Sequence, residues 1–217
     1  MDIFIVFLVL ILVATGVSTY LNHKRAQLIE SLAAEWGFTY RKQAQNCLPR
    51  ERFDLFSKGR NCHLANVIRR EQGSVMVSIG EYTYTTGSGK NRSRHCQTVV
   101  ILDSERLALP QFSLMPENVL HKIGQLFGYK DIDFDTHPDF SQFFLLRGPD
   151  EIRIREAFDT DVLDFFEMKF FERQQRISVE GAGSTLIYYY ADRRRDPRRW
   201  QQMIAEALKV YEQFCLS

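Results

Sequence analysis

The stretch Gly80–Thr98, "GEYTYTTGSGKNRSRHCQT", decides how the chain is read, because a Gly-Ser-Gly-Lys run beside arginines occurs in phosphate-binding loops and in hairpin turns alike. A P-loop needs a glycine five positions before its Gly-Lys pair and a Ser or Thr after it, so that backbone amides wrap the phosphates and a hydroxyl reaches magnesium. Those two places hold Tyr84 and Asn91. The dinucleotide fingerprint fails as well: Arg92 stands where its third glycine belongs, and no helical pattern follows. Both flanks, "SVMVSIGEYTYT" and "HCQTVVIL", are rich in β-branched and aromatic residues. The run is therefore expected to be the turn of a β-hairpin, with Gly87, Gly89 and Asn91 supplying backbone angles that other residues avoid. Val75, Val77 and Ile79 share one parity and Tyr82 and Tyr84 the other, which predicts a bulge at Gly80 that shifts the buried face.

Working outward, "GFTYRK", "CHLANVI" and "LPQFSLMPE" read as further strands, and "QRISVEGAGSTLIYYYA" as a second hairpin around Gly181–Gly183. Helical spacing marks "ENVLHKIGQLFG", with Val119, Leu120, Ile123 and Phe127 as its apolar stripe, then "PDEIRIREAF" and "TDVLDFFEMKFF". The clearest helix is the last: Asp196 is a good N-cap, Pro197 fits the first turn, and Trp200, Met203, Ile204, Ala207, Leu208, Tyr211 and Phe214 follow at intervals of three and four. The fold class is α+β: an N-terminal transmembrane helix, then one mostly antiparallel-sheet domain with packing helices. No period of 20 to 50 residues recurs, so a repeat array is excluded.

Ile3–Leu21, "IFIVFLVLILVATGVSTYL", is a run of 19 residues without a charge, which as a helix spans about 30 Å, the thickness of a bilayer core. Asp2 precedes it and Lys24–Arg25 follow it, the reverse of the order in a cleaved secretory signal. The positive-inside rule then predicts a single-pass anchor in a cell inner membrane, with the N-terminus outside and the C-terminal domain cytoplasmic. Leu28, Ile29, Leu32, Ala33 and Trp36 continue a helical stripe up to Gly37. The expected organisation is an anchor over residues 1–22, a juxtamembrane helix over 23–37 and a cytoplasmic domain over 38–217.

The net charge of +1 hides an uneven distribution: Asn22–Leu109 carries 14 basic and 8 acidic residues, Pro110–Asp192 carries 8 and 15, and Arg193–Ser217 carries 6 and 3. Lys24, Arg25, Lys90, Arg92, Arg94 and the cluster Arg193, Arg194, Arg195, Arg198 and Arg199 are candidates for contact with anionic lipid headgroups, each nearby cation contributing on the order of 1 kcal/mol. The alternative is two solvated basic loops. A nucleic-acid partner is not expected, since the domain as a whole is not basic and is held at a membrane.

Asp131, Asp133 and Asp135 of "DIDFD" fall on one face of a strand and are weak candidates for a hard cation. An EF-hand is excluded, because its glycine and glutamate places hold Thr136 and Gln142. Cys62–His63 and His95–Cys96 match zinc ligands in type, but adjacent strand residues point to opposite faces, so at most one of each pair would converge on a metal. The four cysteines show no CxxC pair and read as free thiols. No nucleophile elbow and no HExxH is present, and isolated Ser, His and Asp residues have nothing in sequence to join them. Neither a cofactor nor a catalytic residue is assigned.

"GEYTYTTGSGKNRSRHCQTVVIL", followed in order by "LPQFSLMPE", "DIDFD…HPDFSQFFLLRG" and "DEIRIREAF", resembles a group of bacterial membrane-anchored proteins of uncharacterised function, from about Phe53 to the C-terminus. The resemblance implies a bacterial inner-membrane setting and imports no site. The expected function is a binding or scaffolding module that holds a protein partner at the membrane. The competing expectation is an anchored enzyme or small-ligand sensor with a site near Asp131–Asp139.

Overall fold

The structure, a computed structural model, describes residues 2–44, 52–117, 129–173 and 177–216. It opens with α1 (Asp2–Glu35), a single unbroken helix of 34 residues. The apolar N-terminal part of α1 is long and apolar enough to cross a membrane, and the domain covers none of it. Its C-terminal part turns Ile29 and Ala33 into the main core, with Trp36 packed beside them, as the helical stripe predicted.

Then follow β1 (Thr39–Ala44), the one-turn α2 (Asp54–Ser57), β2 (Arg60–Gln72), β3 (Val75–Thr86), β4 (Ser93–Asp103), β5 (Leu109–Pro116), α3 (Pro138–Phe143) and β6 (Phe144–Arg147). The chain closes with α4 (Glu151–Ala157), α5 (Thr160–Arg173), β7 (Ser178–Gly183), β8 (Thr185–Tyr189), a 3₁₀ turn over Pro197–Arg199 and α6 (Trp200–Leu216). The eight strands form one sheet in the order β1-β2-β3-β4-β8-β7-β5-β6, with every pairing antiparallel. The fold is α+β, and both expected hairpins are present as β3–β4 and β7–β8. The helix expected over 117–128 lies, from residue 118 on, outside the described residues, as does Cys47.

β3 itself does not bulge at Gly80; the irregularity lies on its partner, where Asn66 and Val67 of β2 stand opposite Gly80 alone. β3 and β4 stay in one register from Met76↔Asp103 to Thr86↔Ser93. The two parities of β3 serve two buried faces instead: Val75, Val77 and Ile79 enter the main core with α1 and α6, while Tyr82 and Tyr84 enter a second apolar cluster on the opposite face. The register irregularities lie in β2, where Asn61 and Asn66 take φ of 53° and 50°. Gly80 is needed because β2 passes close by: a Cβ there would stand 2.8 Å from Val67 Cγ2 and 3.2 Å from the Ala65 carbonyl oxygen.

The main core is joined by aromatic rings in edge-on and tilted contact, Phe112 with Phe158 at 4.9 Å and with Phe214 at 5.5 Å between centroids. Such pairs add on the order of 1 kcal/mol beyond the area they bury. On the second face Phe53, Leu55 and Phe56 roof over Tyr82, Tyr84, Val99, Ile187 and Tyr189. Phe56 meets Tyr82 edge-on at 4.8 Å. The roof is pinned from below by Glu180 of β7, a fully buried carboxylate. Its two oxygens accept from the Leu55 backbone N–H at 3.1 and 3.2 Å, and Oε1 also accepts from the Tyr189 hydroxyl at 2.7 Å. Burial pushes this carboxyl up to about 7, against the smaller opposing effects of Lys58 and the two donors.

Candidate functional site

Three sets of polar side chains stand out. The first joins the anchor to the sheet. Glu81, on the face of β3 that meets α1, is only 3% exposed. Arg25 Nε donates to its Oε1 at 2.6 Å, Arg194 donates to both oxygens at 2.6 and 2.8 Å, and Asn66 Nδ2 donates to Oε2 at 2.7 Å. Arg25 also donates to the Arg195 carbonyl oxygen, and Arg194 reaches Asn22 at 3.1 Å. Burial by itself would raise the Glu81 carboxyl, but hydrogen bonds from Arg194 and Asn66 and the charge of Arg25 hold it below the usual carboxylate range. One buried anion thus joins α1, just past its apolar run, to β3 and the β8–α6 connection.

The basic residues read from the sequence divide accordingly. Arg25 and Arg194 are engaged by Glu81, and Arg195 lies over the Tyr190 ring at 4.0 Å. Lys24, Lys90, Arg92, Arg94, Arg193, Arg198 and Arg199 are exposed.

The second set lies at the hairpin end of the sheet. His95 stacks on Tyr84 at 4.6 Å. Its Nδ1 is 2.8 Å from Asp192 Oδ1 and its Nε2 2.8 Å from Thr86 Oγ1. This carboxylate–imidazole–hydroxyl order is the one that orients an imidazole toward a hydroxyl, and it joins residues with nothing in the sequence to link them. Here it ties β3, β4 and the β8–α6 connection together. Cys62–His63 and His95–Cys96 lie on β2 and β4, with β3 between them. Cys62 Sγ donates to the Lys58 carbonyl oxygen, and His63 sits beside the Asn61 carbonyl.

Of the Asp131–Asp139 segment, residues 131–134 run beside β6, with the Ile132 N–H donating to the Leu146 carbonyl oxygen at 2.9 Å, but form no ladder strand; a turn at 135–136 and the start of α3 follow, so the strand expected for Asp131, Asp133 and Asp135 stops short of Asp135. Its alternation holds nonetheless: Ile132 and Phe134 face the core. Asp131 accepts from the Leu146 N–H at 3.0 Å, and burial raises its carboxyl to about 6. Asp133 and Asp135 are exposed, while His137 turns to Asp164 at 3.2 Å. Among the described residues no group of three or more His, Cys, Asp or Glu side chains is placed to hold a metal ion.

The third set is a groove of about 660 Å³ along α5, closed on one side by Gln213 of α6. Its floor is Phe165, Met168 and Phe171, the last two well exposed. Its rim carries Asp159, Asp161, Asp164 and Glu167. In sequence these carboxylates carry no assigned role; only the fold shows that they border exposed apolar side chains.

A candidate membrane helix joined through the Glu81 cluster to an antiparallel α+β domain is the class that the geometry defines. No protein-family model matches the chain, and no curated protein matches it. Among solved structures it is similar to the crystal structure of the mycobacterial trehalose monomycolate transport factor A, TtfA, with 13% sequence identity and a TM-score of 0.57 over 88% of this chain and 92% of that one. At that identity the likeness is one of fold.

Proposed function

We propose that this protein is a non-enzymatic docking module of a bacterial inner membrane, its domain in the cytoplasm, that holds a membrane-protein partner by a cationic amphipathic segment lying in the α5–α6 groove. The observation that carries this reading is the groove's pairing of an apolar floor with a rim of four carboxylates. Such a surface complements a helix that shows Leu- or Phe-like side chains on one face and Lys or Arg at its borders. α6 leaves the β8–α6 connection beside the anchor and, five residues before its end, hydrogen-bonds Tyr211 at 3.0 Å to Ser104, beyond the opposite end of β4, so Gln213 and the groove lie away from the bilayer. The occupant is therefore a cytoplasmic tail or loop rather than a spanning helix. The shared fold with a transport factor supports an accessory role in membrane transport.

A photo-crosslinking residue at Met168 of the full chain, expressed in its own membranes, tests the reading. The captured peptide is expected to be basic and amphipathic, and capture is expected to fail with Asp161→Lys and Glu167→Lys together. Capture of acidic peptides, of a second copy of this chain, or of the same peptide by the doubly substituted chain overturns it. A C-terminal reporter active only outside the inner membrane overturns the orientation.

A further inference from the structure

We propose that the tip of the β3–β4 hairpin, Gly87–Arg94, rests in the headgroup layer of the bilayer and binds anionic phospholipid headgroups through Lys90, Arg92 and Arg94. The inference rests on α1 crossing the membrane, and on two contacts that fix how β3 runs beside that helix. Near the C-terminal end of α1, Arg70 of β2, paired with Val77 of β3, donates to the Trp36 carbonyl oxygen at 2.8 Å. Further along β3, Glu81 meets Arg25. Passing from Val77 to Glu81 is thus passing from residue 36 of the chain back to residue 25: β3 heads for the bilayer.

Beyond Glu81 the strand continues for five residues to Thr86, about 17 Å at a strand's rise. From Arg25 to Leu21, the last residue of the apolar run, α1 needs only four residues, about 6 Å. The strand is therefore long enough, even when inclined to the helix, to bring the hairpin tip to the headgroup layer where α1 enters the bilayer. A polar tip belongs there and not among acyl chains. "GSGKNRSR" holds three cations, no acid and no apolar side chain, and every residue in it is exposed.

Local geometry holds the tip in shape. Gly87 has φ 71°, and a Cβ there would stand 2.1 Å from the Asn91 carbonyl oxygen. Arg60 Nη2 donates to the Gly87 carbonyl oxygen at 2.6 Å. Asp192, at the base of the tip, is hydrogen-bonded to His95. Arg193, Arg198 and Arg199, exposed at the foot of α6, extend the same positive field along the membrane side. Each cation close to an anionic surface strengthens binding by about fivefold.

The test uses the full chain in lipid nanodiscs and amide hydrogen exchange at residues 87–94. Discs of phosphatidylcholine are compared with discs containing about one-third phosphatidylglycerol, and a third arm adds inorganic phosphate to the phosphatidylcholine discs. Exchange is expected to slow by about fivefold or more with phosphatidylglycerol alone. The triple variant Lys90→Gln, Arg92→Gln, Arg94→Gln is expected to lose that slowing while α6 keeps its protection. Equal exchange in both lipids, slowing that survives in the triple variant, or slowing by soluble phosphate equal to that by phosphatidylglycerol each overturns the proposal. A disc presents the same lipid on both sides and contains no partner protein, so the outcome is independent of the domain's side in the cell and of the groove's occupant.

Discussion

Replacing Glu81 by Gln is expected to cost the domain about 2–3 kcal/mol and to loosen α1 from the sheet. The change removes the charge but keeps the size of the side chain and an oxygen for the Asn66 amide. Three short hydrogen bonds from Arg25 and Arg194, at 2.6, 2.6 and 2.8 Å, lose their anionic acceptor. Breaking a buried ion pair by removing one partner costs about 3–5 kcal/mol when the remaining charge is trapped. Here it is not fully trapped: the Arg25 and Arg194 side chains are 20% and 34% exposed and turn toward water, so the lower figure applies. Urea unfolding of the full chain in detergent, followed by tryptophan fluorescence, measures the loss, because Trp36 packs at the end of α1 and Trp200 lies in the core. Tryptic cleavage after Lys24 and Arg25 measures the loosening, and is expected to quicken in the variant before the core melts. A loss below about 1 kcal/mol with unchanged cleavage would refute the assignment of Glu81 as the clamp.

Glu180 predicts a pH dependence of definite sign. Its carboxyl is raised from 4.5 to about 7 in the fold, so the stability tied to its protonated form is present below pH 4.5 and lost as pH rises through 7, on the order of 3 kcal/mol in all. The urea midpoint is expected to fall between pH 5 and pH 8 in the native chain and to stay flatter and higher at pH 8 in Glu180→Gln; a midpoint that rises over that range in both chains contradicts the reading. Gly181→Ala is expected to lower thermal stability by about 1–3 kcal/mol, since the new Cβ would lie 2.3 Å from Phe112 Cε1 and 2.9 Å from Leu109 Cδ1 in the main core. Circular dichroism melts check it, and an unchanged melting temperature tells against the tight packing of β7 on β5. Gly87→Ala is expected to speed amide exchange over residues 88–92 while moving the global midpoint by less than about 1 kcal/mol, because strain at a positive φ falls on an exposed turn; equal protection in both chains tells against the turn.

What the sequence disclosed was mostly local. The β3–β4 and β7–β8 hairpins, the docking stripe of α1 and the capped start of α6 each declare themselves within a window of about a dozen residues. The bulge expected at Gly80 falls on β2 rather than β3, and it does not move the buried face: with both faces of the sheet buried, alternation along β3 carries apolar residues on each parity. α2 escaped notice because a one-turn helix has no periodicity, and its hold on the sheet depends on Glu180, 125 residues from Leu55. Glu81 reads as an unremarkable strand residue until Arg25 and Arg194 arrive from 56 and 113 residues away. Read locally, those two arginines belong to surface charge runs; in the fold their charges go to an internal partner. The Asp192–His95–Thr86 chain was invisible for the same reason, since it closes across the β8–α6 connection.

The unbroken course of α1 makes the protein a lever. No glycine or proline interrupts the chain between Asn22 and Trp36, and the Glu81 cluster grips the helix where it leaves its apolar stretch, so a hinge is lacking at the place where anchored domains commonly swivel. Any lean of the helix is passed on to the sheet. Bilayers of different thickness change the lean of a spanning helix by 10° or so. Across a domain of this size, about 40 Å from end to end, that swings the far side by roughly 7 Å. The protein would register membrane thickness as a displacement of its acidic groove.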